Sequence, residues 1–393
     1  MGGRLLKALG LVLLLGVGGP ELYGRYVLDQ KPGLQENHLA ESLEKFATFD
    51  PVLGLAYRIN VDQLVDVPSS EFSILFKINE IGLHDRPMGT HLRKELKFLV
   101  FGDEFAEGWG ADIDQHFAVR AQVKVNEKTA LNPPVRMVIA AKSSYGAAQN
   151  YLIAGPLIDS LQPKAIVFFY SSLMPHADAL FLRDAKLVDG LATGLRSDVP
   201  QHARLPHLED YAQSPPDWLA SLARQSVAAR MLAEWWALRT TRADLVPGDP
   251  LRDRLAGIRG EDAALKAIHA PSLRYVKALA TLAASRHVPF LLVHVPLPPQ
   301  VSSEAWDLGR QVFSAPPGLM PAADAAVVAD FCKASGLRCL SLHERLKEET
   351  NNLKSTRLFY RSELALTVDG DTILGGWFAD EIYRWLGELG YLT

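Results

Sequence analysis

Five short and almost continuously apolar runs constrain the fold of this 393-residue chain more than any other feature of its sequence. Strands that are buried on both faces of a parallel sheet have this character. Segments with helical periodicity, such as residues 147–161 and 271–287, lie between the runs. The alternation predicts a doubly wound α/β fold around a parallel sheet. The five predicted strands are residues 98–102, 134–141, 162–172, 289–298 and 336–343.

The composition is that of a globular protein with a large core, because 48% of the residues are hydrophobic and 22% are charged. Lysine and arginine number 41 and aspartate and glutamate 45, which gives a formal net charge of −4. A protein whose main partner is nucleic acid carries an excess of positive charge on one face. We therefore expect no nucleic acid partner.

The first 35 residues carry a targeting signal. Arg4 and Lys7 precede an uncharged, leucine-rich run at residues 8–19, which has signal-peptide length and is short for a full span of ~20 residues. No cysteine and no clear cleavage site follow it. We expect an uncleaved single-pass anchor in a bacterial inner membrane, with the bulk of the chain in the periplasm. A cleaved signal peptide and a buried core helix are the alternatives.

Changes in composition and hydrophobic pattern divide the chain into three parts. Residues 1–35 are the predicted signal anchor and linker, and residues 36–96 form an extended N-terminal arm that is polar with a few apolar anchors. Residues 97–393 form the α/β domain. A helical insertion at about residues 180–270 interrupts its alternation of strands and helices.

The only two cysteines are close in sequence. Cys332 lies near the end of an apolar helical segment, and Cys339 lies at the start of the fifth predicted strand. A disulfide between them is a candidate if the chain is exported, and two buried thiols are the alternative. The spacing, without paired histidines, does not indicate a zinc site.

Candidate functional residues follow the predicted strands, because open parallel sheets bind ligands at the carboxyl ends of their strands. Gly102, Asp103 and Glu104 follow the first strand, and residues 142–149 follow the second. Two hydroxyl residues and two carboxylates complete the set, namely Ser171 and Ser172 after the third strand and Asp369 and Asp371 before the last predicted helix.

Four segments in this order resemble the motif blocks of the SGNH (GDSL-type) hydrolase superfamily, in the branch with an N-terminal membrane anchor. They read "FLVFGDEFAEGWG", "SSYGAAQNYLI", "PKAIVFFYSSLMPHAD" and "VDGDTILGGWFADEIYRWL". The arm also resembles the segment that precedes the catalytic domain in this branch, so the resemblance covers roughly residues 45–393. It implies a flavodoxin-like three-layer sandwich with a parallel sheet.

The resemblance also implies a set of site positions, at which the catalytic residues of the superfamily are replaced. Members use a serine nucleophile, a histidine base oriented by an aspartate, and an oxyanion hole made by a glycine amide and an asparagine. The serine position is Glu104 and the histidine position is Asp371, whereas the orienting aspartate persists as Asp369. Asp103 also persists, the glycine falls at Ala141 or Ser144, and the asparagine falls at Ser171 or Ser172.

These replacements predict a chain without ordinary serine esterase activity, because the members of a catalytic triad act as a unit. We expect a binding or scaffolding subunit of the cell envelope, with an envelope protein or a polysaccharide as partner and no cofactor. The alternative is a carbohydrate acyl esterase or O-acetyltransferase of envelope polysaccharide with a relocated nucleophile. Ser143 and Ser144 are then the first candidates, together with one of the histidines at positions 84, 116, 176 and 294.

The carboxylates allow two further interpretations. Glu104, Asp369 and Asp371 could converge and bind a hard cation such as Ca²⁺ or Mg²⁺, or act as an acid/base pair on a glycosidic bond. Hydrogen bonding to neighbouring backbone amides or to Lys142 is the simpler expectation. We therefore predict no metal site. The three carboxylates are only weak candidates for one.

Overall fold

The computed structural model describes residues 46–66, 71–89, 95–199, 262–307, 318–352, 357–361 and 363–392, with six isolated positions between 218 and 258. Apart from the isolated positions between 218 and 229, these residues belong to the compact unit formed by Ser42–Leu205 and Leu251–Thr393. The predicted anchor and most of the predicted insertion lie outside the described residues. Among the described residues, no helix has the length and apolar character needed to cross a membrane.

The N-terminal arm contains two antiparallel hairpins, whereas the sequence predicted an extended, irregular segment. Strands β1 and β2 pair with each other, and so do β3 and β4. The inward side chains of β4 alternate with exposed ones, as expected for a strand with one buried face. The four strands are β1 (Ala47–Asp50), β2 (Gly54–Tyr57), β3 (Val61–Asp66) and β4 (Ser73–Ile78).

Seven further strands follow, and five of them form one parallel sheet. The remaining two, β8 and β9, make a hairpin inside the region that the sequence assigned to a helical insertion. The seven are β5 (Leu96–Phe101), β6 (Val135–Ile139), β7 (Ala165–Ser171), β8 (Ala185–Val188), β9 (Leu191–Leu195), β10 (Phe290–Val295) and β11 (Arg338–Ser341).

The strand order of the parallel sheet is β11–β10–β7–β5–β6. Counted along the chain within this sheet, that order is 2-1-3-4-5, which is the order of flavodoxin-like folds. The predicted α/β class with a parallel sheet is therefore confirmed, and all five predicted strands are present. Four of them are shorter than predicted, whereas β5 begins two residues earlier. The direction of winding reverses between β5 and β7, so a crevice is expected at their carboxyl ends.

Nine helices lie among the described residues. They are α1 (Glu104–Glu107), α2 (Phe117–Thr129), α3 (Ala147–Leu161), α4 (Met174–Asp184), α5 (Asp262–Ser285), α6 (Pro298–Val301), α7 (Ala323–Ser335), α8 (His343–Asn352) and α9 (Val368–Glu388). Helix α3 has the predicted bounds, and α5 begins nine residues before the predicted segment.

The helices cover both faces of the sheet and bury two apolar clusters. On one face, α2 and α9 pack on β5 and β7 through residues such as Phe117, Phe169 and Phe378. On the other face, α3, α5 and α7 pack through residues such as Phe168 and Leu279. Alternate residues of each strand serve the two clusters, which is why the strands read as continuous apolar runs.

Cys332 and Cys339 form a disulfide, which joins α7 to β11. Of the two alternatives left open by the sequence, the structure has the paired form. The bond connects a helix of the outer layer to the edge strand of the sheet.

Candidate functional site

The turn after β5 places Asp103 and Glu104 at the crevice. Gly102 has φ +156°, and a Cβ atom there would lie 2.5 Å from the Cβ atom of Ala106 and 3.0 Å from the carbonyl oxygen of Phe169. The chain can therefore pass close to β7 as it enters α1. Asp103 is the N-cap of α1 and accepts a hydrogen bond from the amide of Phe105 at 3.1 Å.

Asp103 and Ser171, two residues predicted for the site, are in direct contact. The Ser171 hydroxyl donates to the second oxygen of Asp103, and both side chains are buried. Burial and the neighbouring charge of Glu104 raise the pKa of Asp103 to about 7, and the Ser171 hydrogen bond opposes this rise. The residue at the oxyanion-hole asparagine position is therefore held by a carboxylate.

Glu104 meets Ser144 across the crevice. The Glu104 carboxylate is half-buried and lies 3.5 Å from the backbone nitrogen of Ser144, which would donate to it. Ser144 is exposed and has φ +65°, the left-handed conformation that the turn between β6 and α3 requires. These two residues form the open part of the site.

Glu107 is a buried carboxylate that the sequence interpretation missed. Its Oε2 atom accepts the amide of Ser143 at 2.7 Å and also the Ser143 hydroxyl. Burial raises the pKa of Glu107 to about 7, against the hydrogen bonds from Ser143 and the charge of Lys142. Its position three residues after Glu104 on the same short helix was the available signal, since such residues share a helix face.

Lys142 connects the site to the arm. Its Nζ atom lies 4.9 Å from the centre of the Tyr57 ring on β2 and 5.6 Å from that of Tyr145. Burial lowers the pKa of Lys142 to about 8, although the charges of Glu107 and Asp50 oppose the shift. The arm hairpin therefore forms one wall of the site.

Asp371, at the histidine position of the superfamily, is directed elsewhere. It is buried in the first turn of α9 and accepts the amide of Phe117, the first residue of α2, at 2.9 Å. Burial raises its pKa to about 8, and the Phe117 amide and the Arg120 charge oppose the rise. Asp369 is exposed in the same turn of α9. Within the described ranges, no three or more His, Cys, Asp or Glu side chains form a group that could hold a metal ion, so the predicted weak cation site does not assemble.

The histidines named in the sequence interpretation do not restore a base at this site. His116 is buried, with Nε2 3.1 Å from the Ala106 carbonyl oxygen and Nδ1 accepting the Ala118 amide at 3.0 Å. His84 is buried and stacks on Phe76 with ring centres 3.8 Å apart. Burial lowers the pKa of both imidazoles to about 3, so they are neutral.

The other two histidines belong to other parts of the fold. His176 lies in the first turn of α4, and His294 lies near the end of β10, where it pairs with Asp324. The hydrogen bonds of His116 and His294 do not involve Ser143, Ser144 or Ser171.

Comparisons with known proteins give structural neighbours only. No family model matches the chain, and no curated protein matches it. One similar solved structure is that of a protein described as lipolytic, of the GDSL family, from Desulfitobacterium hafniense DCB-2, with 12% identity, coverage of 72% of this chain and 98% of that one, and a TM-score of 0.36. Another is an acetylxylan esterase from Geobacillus stearothermophilus, with 10% identity, coverage of 73% and 93%, and a TM-score of 0.39. A psychrotrophic esterase from Pseudoalteromonas sp. has 8% identity, coverage of 74% and 99%, and a TM-score of 0.37.

One of these neighbours is described as a member of the GDSL family, and the other two are described as esterases. With TM-scores of 0.36–0.39, they supply no argument about the chemistry of this chain. The strand order defines the class of the fold by itself, as a flavodoxin-like α/β protein with a crevice beside β5 and β7. What the crevice can do follows from the side chains described above.

Proposed function

We propose that this chain is an exported, membrane-anchored protein of SGNH-like fold whose crevice at the ends of β5, β6 and β7 binds a hydroxyl-rich ligand of the cell envelope without hydrolysing it. The observation that carries the proposal is the use of the replaced catalytic positions as structural groups. Asp371 caps α2 through the Phe117 amide, and Ser171 is bound to Asp103. Neither side chain is arranged to assist a nucleophile.

A polysaccharide suits the groups that remain accessible. The half-buried Glu104 carboxylate and the exposed Ser144 hydroxyl lie together at the crevice. A carboxylate accepts hydrogen bonds from neighbouring sugar hydroxyls, and a serine hydroxyl both donates and accepts. Open α/β sheets bind their ligands at such a crevice.

Affinity electrophoresis in gels that contain amylose, xylan or alginate tests the binding proposal. We expect one of these polysaccharides to retard the purified protein, and Glu104→Gln to reduce the retardation. Glu127→Gln is the matched control, because Glu127 is exposed on α2 outside the crevice. Absence of retardation in all three gels, or equal retardation of both variants, would contradict the proposal.

The absence of hydrolysis at the crevice has its own test. The rate of 4-nitrophenyl acetate hydrolysis is compared between the wild-type protein and Glu104→Gln. We expect equal rates, because Glu104 takes no part in ester cleavage. A tenfold lower rate in the variant would show that the crevice is catalytic.

Export is tested separately with an alkaline phosphatase domain fused after residue 393, since this reporter is active only in an oxidising compartment. We expect phosphatase activity that sediments with membranes. Activity in the soluble periplasmic fraction would favour the cleaved signal peptide, and an inactive reporter would contradict export.

The second candidate is the esterase or O-acetyltransferase with a relocated nucleophile. The specific observation in its favour is the Ser143 hydroxyl donating to Glu107, whose pKa of about 7 suits a general base. If this candidate is correct, Ser143→Ala abolishes ester hydrolysis. An unchanged rate in Ser143→Ala would exclude Ser143 as the nucleophile.

A further inference from the structure

A second polar cluster lies at the same edge of the sheet, at the ends of β10 and β11. His294 and Ser341 are register partners on these parallel strands, so their side chains project to the same face of the sheet. The Ser341 Oγ atom lies 3.1 Å from Nδ1 of His294. Ser341 is exposed, whereas the His294 ring is buried beneath it.

Asp324, in the first turn of α7, is hydrogen-bonded to the other nitrogen of the imidazole. Its Oδ2 atom lies 2.9 Å from Nε2 of His294 and also accepts the hydroxyl of Ser172. Its Oδ1 atom accepts Nε2 of Gln300 at 2.6 Å. The carboxylate is fully buried and has a donor on each oxygen.

The hydrogen bonds fix the tautomer of the His294 imidazole. Burial by itself would raise the pKa of Asp324, but the hydrogen bond and charge of His294, with the bonds from Ser172 and Gln300, hold it below the usual range. An ionised carboxylate only accepts, so Nε2 of His294 carries a proton. In this tautomer the lone pair of a neutral ring lies at Nδ1, where it can accept the Ser341 hydroxyl proton.

We propose that Ser341 is an activated nucleophile, with His294 as its general base and Asp324 as the positioning residue, and that this set accepts acyl groups from carboxylic esters. Hydroxyl, imidazole and carboxylate follow one another in the order that serine-type acyl transfer requires. The proposal goes beyond the binding crevice and does not depend on it. Three strand spacings, roughly 14 Å, separate the end of β5 from the end of β11.

The backbone after Ser341 offers a site for the negative oxygen of a tetrahedral intermediate. Strand β11 ends at Ser341, and the ten-residue helix α8 begins two residues later at His343. The first amides of a helix have no acceptor within it and carry partial positive charge. The His343 amide already lies 3.3 Å from the Ser341 Oγ atom.

The disulfide holds the two halves of the cluster together. Cys339 lies two residues before Ser341 and projects to the same face of β11, and Cys332 lies two turns after Asp324 on α7. The cross-link therefore fixes the helix that carries the carboxylate against the strand that carries the hydroxyl.

The reaction balances with water as the second substrate. The Ser341 oxygen attacks the ester carbonyl carbon while Nδ1 of His294 takes the hydroxyl proton. The tetrahedral intermediate breaks its bond to the alkoxy oxygen, which leaves with that proton as an alcohol, and an acyl-serine remains. Water gives a proton to Nδ1 as it attacks the acyl carbon, and the carboxylic acid departs as the Ser341 hydroxyl is restored.

Covalent labelling of the purified full-length protein tests the assignment. A fluorophosphonate probe forms a stable phosphonyl-serine with loss of fluoride only where a serine is activated. We expect peptide mass spectrometry to find the label on Ser341. Label on Ser143 would support the second candidate function and overturn this proposal, as would the absence of labelling on any serine.

Variants separate the roles within the cluster. Ser341→Ala changes an exposed side chain and should abolish labelling, and His294→Gln should slow it by about 100-fold or more. Ser160→Ala, an exposed serine on α3, is the control and should label as the wild-type protein does. Labelling of Ser341 at an undiminished rate in His294→Gln would overturn the role of the imidazole.

Asp324→Asn tests positioning through the pH dependence of labelling. We expect a lower maximal rate and a midpoint shifted to lower pH, because loss of the carboxylate charge disfavours the imidazolium form. A purely structural role would lower the rate without moving the midpoint, and that result would contradict the positioning role. Ser341→Ala decides the main claim even if the buried substitution prevents folding.

Discussion

The two polar sites at the carboxyl edge of the sheet use the same kinds of residue in different ways. In the crevice at β5 to β7, Asp103 and Glu107 accept backbone amides, as Asp371 does at the start of α2. At the ends of β10 and β11, Asp324 accepts an imidazole and two other side-chain donors. The difference shows that the donor facing a buried carboxylate determines whether it stabilises the backbone or orients a catalytic base.

The electrostatics of the two sites differ accordingly. Burial dominates at the crevice residue Glu107, where it raises the pKa to about 7, and at Asp371 beside α2, where it raises the pKa to about 8. At Asp324 the side-chain donors and the His294 charge outweigh burial, and the pKa falls. Glu107 and Asp371 are thus partly protonated near neutral pH, whereas Asp324 is ionised.

The largest expected effect on stability comes from replacing an aspartate with asparagine. The same change is made at Asp324 and at Asp371, so that the two buried carboxylates can be compared directly. Asp324→Asn should lower the free energy of unfolding by about 3 kcal/mol, because the amide replaces an ionised acceptor of three donors. Asp371→Asn should cost less than about 1 kcal/mol at pH 8, because an amide oxygen can still accept the Phe117 amide. Urea denaturation measures both, and similar losses in the two variants would show that the carboxylates are equivalent.

Removal of the disulfide should have the next largest effect. The Cys332→Ala, Cys339→Ala double variant loses a cross-link between residues seven positions apart, which is worth about 2–3 kcal/mol. We also expect slower labelling of Ser341 and unchanged behaviour of the crevice in polysaccharide gels. If both sites change equally, the bond stabilises the whole domain and does not act on the second site in particular.

The pH dependence of stability tests the three buried carboxylates whose pKa is raised. The pKa values of Asp103, Glu107 and Asp371 are raised to about 7–8, above unfolded values near 4, so the folded state binds more protons between these limits. Stability should therefore fall as pH rises through this window.

The buried histidines act in the opposite sense. The pKa values of His84 and His116 are lowered to about 3, so their contribution to stability is lost as pH falls below the unfolded value near 6.5. The sum predicts a gain of about 2 kcal/mol from pH 8 to 6.5 and a further gain of about 2 kcal/mol from 6.5 to 5, because the three carboxylates outnumber the two imidazoles. Asp371→Asn should remove about half of that gain in urea denaturation, and an unaltered pH profile would contradict the assignment.

The smallest expected effect is that of Glu104→Gln on stability. Its carboxylate is half-buried, and its hydrogen bond from the Ser144 amide is long at 3.5 Å, so we expect a change within about 0.5 kcal/mol. A thermal melt beside Glu127→Gln measures it. A loss of 2 kcal/mol would mean that Glu104 is structural like the other carboxylates, and the binding role would lose its accessible group.

The strands of the central sheet were predictable from sequence, but the hairpins were not. Central strands are buried on both faces and read as apolar runs, as β7 does. In β4 only alternate residues are buried, and Leu75 occupies an exposed position opposite the exposed Leu64 of β3. An apolar residue on the outer face conceals the alternation that would have identified the strand.

The candidate site was predictable in part. The motif positions found Asp103, Glu104, Ser144 and Ser171, and the structure brings them together in two pairs. Sequence reasoning missed Glu107, which acts on Ser143 from another segment, and it placed Asp371 in the crevice where the structure has it capping α2. The sequence interpretation named His294, but it did not name its partners Asp324 and Ser341.

By itself, the sequence determined the number of central strands, their parallel character and the edge of the sheet where polar side chains gather. Burial and hydrophobic periodicity are properties of local segments, so they can be read from consecutive residues. Only the tertiary structure decided which carboxylate faces which donor. Asp324 and Ser341 meet His294 across separations of 30 and 47 residues, and hydrogen bonds depend on positions within a few tenths of an ångström. Packing of the helices on the sheet sets those positions.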